Sequence, residues 1–207
     1  EFFMVRVASL KDMVHANYKK KDIAGMSASE QLEKINEHTR ELVTLQYNTY
    51  NRSLVPLMHQ HGIVVIDAFE DLSESQAAFV DRYFEDNVYP VLTPMAVDAS
   101  RPFPLIRNKT LNIAALLSKK KGKAEKEEIE FATVQVPSVL PRLVHIPSED
   151  GNEKTFILLE QVIERNIDKL FLNYDVLCAY PYRVMQNADL SIDEDEAADL
   201  LKEIQKQ

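Results

Sequence analysis

Five histidines, a lysine run and a few paired cations are the residues of this sequence with the most chemistry to offer. His59 and His61 sit two apart. On a helix that spacing turns the two rings to different faces, and no acidic or cysteine partner stands at ligand spacing. A role at a helix C-terminus, where histidine suits the dipole, is the better expectation. His15, His38 and His145 carry no recognisable catalytic signature. Lys119-Lys-Lys-Gly-Lys123 has the charge to hold a polyanion, but Glu125, Glu127 and Glu128 follow at once, so a solvated loop is the simpler expectation. Lys19-Lys-Lys21 reads as the polar end of a helix. Arg101, Arg107 and Lys109 flank a rigid Pro-Phe-Pro turn that could aim cations at phosphate, or merely join two packed elements. Asp193-Glu-Asp-Glu196 suits a helix start.

The sequence has no phosphate-cradling P-loop, no dinucleotide glycine fingerprint, no nucleophile elbow and no protein-kinase signature. On the residues alone, no catalytic, cofactor-binding or metal-binding side chain is assigned.

The 207 residues suffice for one large domain or two small ones. Hydrophobic residues at 45% and charged residues at 28% are ordinary for a globular chain. The net charge of -9 argues against nucleic acid as the main partner. The single cysteine, Cys178, excludes an internal disulfide and fits a reducing compartment. No apolar run is long enough for a transmembrane segment. Glu1 and Gln207 both read as cut ends inside helical patterns.

Apolar spacing predicts a helix from Phe2 to about Tyr18, with Phe3, Val7, Leu10 and Val14 on one face. A polar linker to Met26 follows. Ser27 and Glu30 then have capping-box spacing and open a long helix striped by Leu32, Ile35, Leu42, Leu45 and Leu57, the two helices making an antiparallel pair. Pro56 should kink or end the long helix, and Gly62 suits the residue just past it. Ile63–Ile66 reads as extended. Ser73 and Gln76 form a second capping box, for a helix to about Asn87 that buries Phe79, Val80, Tyr83 and Phe84.

Pro90 and Pro94 favour extended backbone through Tyr89–Met95. Strands are expected at Leu111–Leu117, Ile129–Val136, Leu143–Ile146 and Asp175–Met185, with Ser118–Glu128 as a hairpin loop. Helices are expected at Ile157–Phe171 and from Ile192 onward. Helices first and mixed elements later imply an α+β fold, with a boundary near Phe69–Ser73.

Several stretches carry more than pattern. Glu1-Phe-Phe-Met-Val-Arg-Val-Ala8, Tyr89-Pro-Val-Leu-Thr-Pro-Met-Ala-Val-Asp98, Arg101-Pro-Phe-Pro-Leu-Ile106, Leu111-Asn-Ile-Ala114, Leu140-Pro-Arg-Leu-Val144 and Tyr182-Arg-Val-Met-Gln-Asn-Ala-Asp189 occur in that order. Together they resemble the bacterial polyphosphate kinases of the long-chain type. The resemblance covers essentially the whole chain.

It implies a partial helical N domain over residues 1–71 and an α/β head domain over 72–207, cut at its C-terminal end. It implies a cytoplasmic parent, free or membrane-associated, that reversibly moves the terminal phosphate of ATP onto polyphosphate through a phosphohistidine, with ATP and magnesium as its cofactors. In the family those catalytic groups lie in C-terminal domains. A base-contacting asparagine lies in an Asn-Leu-Asp stretch that would precede Glu1. None of the five histidines here takes the nucleophile's part, and these residues are expected to be structural and, through the head domain, to form a homodimer. Two other readings stay open on the residues: a stand-alone helical adaptor or oligomerisation module, and a polyanion-binding module built on the lysine run.

Overall fold

The computed structural model describes residues 1–97, 104–119, 129–148, 151 and 153–188. The chain is α+β, and it divides into two compact units, Glu1–Thr49 with Met185–Gln207, and Tyr50–Val184.

In the first unit a π-helical turn, Phe3–Val7, runs into helix α1, Ala8–His15. Asn17 then takes a left-handed conformation at φ 54, a role asparagine tolerates. The linker closes on Asp22, whose carboxylate accepts from the backbone N–H groups of Ala24 and Met26. The first capping box forms as expected: Ser27 N–H donates to Glu30 at 2.6 Å, and Glu30 N–H to Ser27 Oγ at 3.3 Å. It opens helix α2, Ala28–Thr49, which packs on α1. Leu10 is fully buried, but Leu42, Val43, Leu45 and Tyr47 of α2 are exposed. The stripe seen in the sequence is therefore only partly used within this unit. Ala188 N–H returns to Met4 O at 3.0 Å.

The second unit opens with a π-helical turn, Tyr50–Leu54, and helix α3, Val55–Gln60. Pro56 lies early in α3, where the backbone is already helical at Leu54, so its missing N–H falls within a continuing helix. The widened turn falls just before it. Gly62 ends the helix at φ 68. Strand β1, Ile63–Val65, follows. The second capping box, Ser73 with Gln76, starts helix α4, Glu74–Tyr83. A π-helical turn, Phe84–Val88, prolongs it.

Two expectations are corrected here. Tyr89–Val91 is a 3-10 turn, and extended backbone begins at Leu92, just ahead of strand β2, Pro94–Val97. Ile157 and Leu158 are not helical. They end strand β6, Lys154–Leu158, and helix α5 covers only Leu159–Arg165, with a 3-10 turn at Ile167–Leu170. Ile157 is buried in the sheet, not on a helix face.

The other strands are β3, Leu111–Lys119, β4, Ile129–Gln135, β5, Leu143–Ile146, and β7, Tyr174–Arg183, close to the sequence expectation. They form a three-stranded sheet in the order β1-β6-β5 and a four-stranded sheet in the order β2-β4-β3-β7. β1 runs parallel to β6, and the remaining pairs are antiparallel. Pro94 stands on an edge strand, the place where a residue without N–H disturbs no ladder.

Alternation along β3 and β4 puts Ile113, Ala115, Leu117, Ala132 and Val134 into one core with Val80, Phe84 and Val88 from the α4 segment and Val162 and Ile163 from α5. The two helices are also clasped by charge. Arg165 donates from Nε and Nη2 to the two carboxylate oxygens of Asp81 at 2.8 and 3.0 Å, and these bonds hold the Asp81 carboxyl below its usual range. Among the described residues no helix is long and apolar enough to cross a membrane.

Candidate functional site

All five histidines are solvent-exposed. His15 ends α1, while His59 and His61 close α3, as their position near a helix C-terminus led one to expect. His38 Nδ1 lies 3.3 Å from Glu41 on the surface of α2. His145 packs edge-on against Phe156, with ring centroids 5.4 Å apart. Among the described residues no group of three or more His, Cys, Asp or Glu is placed to hold a metal ion. Of the lysine run only Lys119 is described, at the end of β3. Lys120, Lys121 and Lys123, Arg101 and Asp193-Glu-Asp-Glu196 lie outside the described residues.

The other two cations of the Pro-Phe-Pro region are described. Arg107 and Lys109 are exposed residues in the segment entering β3. The segment is tied down: Thr110 N–H and Thr110 Oγ1 both donate to Arg107 O, the latter at 2.7 Å. Lys109 N–H donates to Val184 O at 2.9 Å. Lys109 adopts φ 62, an uncommon conformation for a residue with a Cβ. The register of β3 with β7 sets Leu111 opposite Arg183, and Arg183 Nη1 donates to Lys109 O at 3.3 Å. Val136 N–H donates to Leu111 O, which brings the turn after β4 to the same end of the sheet. That turn, Pro137 to Pro141, leads to Arg142, whose carbonyl accepts from Leu159 N–H at 2.7 Å.

The result is a cavity of about 460 Å³ at one end of the four-stranded sheet. Among the described residues four cations line it: Arg107, Lys109, Arg142 and Arg183. Thr110, Gln135 and Ser138 add polar groups, and Leu111, Val136, Leu140 and Leu159 form apolar walls. Among the described residues no carboxylate lines it. Behind it, Arg142 donates to Glu160 from Nε at 3.0 Å and Nη2 at 2.5 Å. Arg107 and Lys109 were conspicuous in the sequence. Arg142 and Arg183 were not, because strand register and a turn bring them in.

Next to this pair lies a carboxyl with a displaced titration. Burial, then the charges of Glu160 and Glu70, push the Glu164 pKa up from 4.5 to about 7. A carboxyl with a folded pKa above its unfolded value holds its proton more tightly in the fold. Stability should therefore fall as pH rises from about 4.5 to about 7, and stay reduced above that. Glu164→Gln should flatten this dependence and stabilise the chain at pH 8 by on the order of 1–3 kcal/mol. Denaturation midpoints measured at pH 5 and pH 8 check this. An unchanged difference between the two midpoints would refute it.

Two family models match the chain in succession. Residues 1–66 match the family model of the polyphosphate kinase N-terminal domain, and residues 75–207 that of the polyphosphate kinase middle domain. Polyphosphate kinase of Lactiplantibacillus plantarum is 50% identical across all of this chain, and the match covers 28% of that protein. The Halalkalibacterium halodurans enzyme is 47% identical, again across the whole chain, with 29% of that protein covered. A crystal structure of polyphosphate kinase from Porphyromonas gingivalis superposes at a TM-score of 0.75 and 25% identity, over 93% of this chain and 27% of that one. The chain thus spans under a third of the length of these relatives.

Proposed function

Since the chain belongs to the polyphosphate kinase family, we propose that its residues are the N-terminal and middle parts of a longer enzyme that transfers the terminal phosphate of ATP to inorganic polyphosphate. The observation that carries this reading is unbroken similarity, along the whole chain, to proteins more than three times as long that bear that name. The division between a helical N domain and a head domain near residue 71 is supported by the two family matches, which stop at 66 and resume at 75.

The phosphoryl-transfer machinery is assigned to parts of the enzyme outside these residues. A histidine nucleophile needs a base or an orienting partner and a shielded site. His38, with its glutamate neighbour, faces solvent on a helix. The part played here is to hold the enzyme's architecture, including a dimer through the head domain, in a cytoplasmic protein. The 207-residue chain alone, given ATP and magnesium, should form no polyphosphate. Polymer formation by this chain would overturn the placement of catalysis elsewhere.

A further inference from the structure

The cavity at the end of the four-stranded sheet has no part in that placement, yet it is built for an anion. We propose that Arg107, Lys109, Arg142 and Arg183 form a binding site for a chain of phosphates, and that its occupant is inorganic polyphosphate. The identification of the occupant rests on the reading of the parent as a polyphosphate kinase. The anion site rests on the geometry alone.

Three observations carry it. The first is uncompensated charge. Glu160 balances Arg142, but the side chains of Arg107 and Lys109 have no acidic partner among the described residues, and Arg183 donates only to a neutral carbonyl. The lining thus keeps about three positive charges in a chain whose net charge is -9. Like charges gathered against apolar walls repel, and a polyanion relieves that repulsion.

The second is donor geometry. Each guanidinium offers paired N–H groups that match two oxygens of a phosphate. Arg142 spends Nε and Nη2 on Glu160 and leaves Nη1. Arg183 spends one hydrogen bond on Lys109 O. Thr110, Gln135 and Ser138 supply further polar groups. The Arg142–Glu160 clasp and the pinned Lys109 backbone place these donors in advance, which lowers the cost of ordering them on binding.

The third concerns what the lining lacks. Among the described residues no aromatic side chain lines the cavity, so none of them offers a stacking face to a nucleotide base. A triphosphate tail and a free phosphate chain share the recognised chemistry. The lining favours the free chain.

The test uses the 207-residue chain with fluorescently tagged polyphosphate, and with inorganic tripolyphosphate and ATP as competitors. Arg107→Gln with Lys109→Asn removes two exposed cations. Asparagine suits the left-handed backbone at 109, so the fold is spared. This double variant should bind polyphosphate roughly tenfold or more weakly, with a shallower dependence on salt. Neutralising Lys120, Lys121 and Lys123 to Gln should change binding less than about twofold. Tripolyphosphate should compete better than ATP.

On the unsubstituted chain, added polyphosphate should shift the amide resonances of Lys109, Gln135, Ser138 and Arg183. Loss of binding in the lysine-run variant with none in the double variant would overturn the site, as would resonance shifts confined to that run. Stronger competition by ATP would overturn the occupant. These outcomes are separable from the parent's activity: an enzyme that makes polyphosphate while this cavity binds none defeats only the present inference. Binding here in a parent that makes no polyphosphate defeats the functional reading instead.

Discussion

Phe84→Ala should lower the unfolding free energy by about 3–5 kcal/mol, the largest single stability loss expected in this chain. Phe84 has no exposed surface and is the largest fully buried side chain among the described residues. It sits where the α4 segment meets both the sheet residues and α5 in one core. Its ring also meets Tyr89 at 6.0 Å between centroids, and Lys169 Nζ stands 5.7 Å from its centre. Lys169 is held there by Glu85 at 2.8 Å. Truncation therefore removes apolar burial, an edge-on aromatic contact and the face of a cation–π pair at once. Phe84→Leu should recover more than half of the loss by refilling the space. Urea denaturation gives both values. A loss for Phe84→Ala under about 1 kcal/mol would mean that the segment does not pack as described.

The second large effect is electrostatic. Arg142→Ala should cost about 2–3 kcal/mol, less than the roughly 3–5 kcal/mol of a wholly buried pair, because the arginine side chain is 55% exposed and water can enter. What it strands is Glu160, only 4% exposed, beside a second acid, Glu164, already driven toward its neutral form. Most of the cost is thus the charge left behind rather than the bond removed. Adding Glu160→Gln to Arg142→Ala should restore about half of the loss. If the double variant is as unstable as the single one, the stranded-charge account fails and lost packing of the arginine stem takes its place.

The contrast between these sites shows what the sequence could and could not reveal. Both capping boxes were legible because each needs only residues three apart. The buried side of α4, Val80 with Phe84, followed from helical spacing. Strand β6 was not legible. Its Thr155 and Ile157 alternate for only five residues before the apolar pattern of α5 begins, so one helix accounted for the whole stretch. Its parallel partner, β1, is distant in sequence, and parallel pairing leaves no local turn to announce it.

The basic cavity divides in the same way. Arg107 and Lys109 stand out in the sequence beside Pro102-Phe-Pro104. Arg142 and Arg183 joined them only through the pairing of Leu111 with Arg183 and the turn after β4. The family, by contrast, is readable from short motifs because six of them occur in one order along the chain.

The central claim is that these residues belong to an enzyme that makes polyphosphate. The most direct measurement follows radiolabelled terminal phosphate from ATP, with magnesium, into acid-insoluble polymer, using the product of the whole reading frame that contains this sequence. The account predicts that label enters long polymer and that added ADP drives it back into ATP. A folded product that leaves all label in ATP or free phosphate would contradict it.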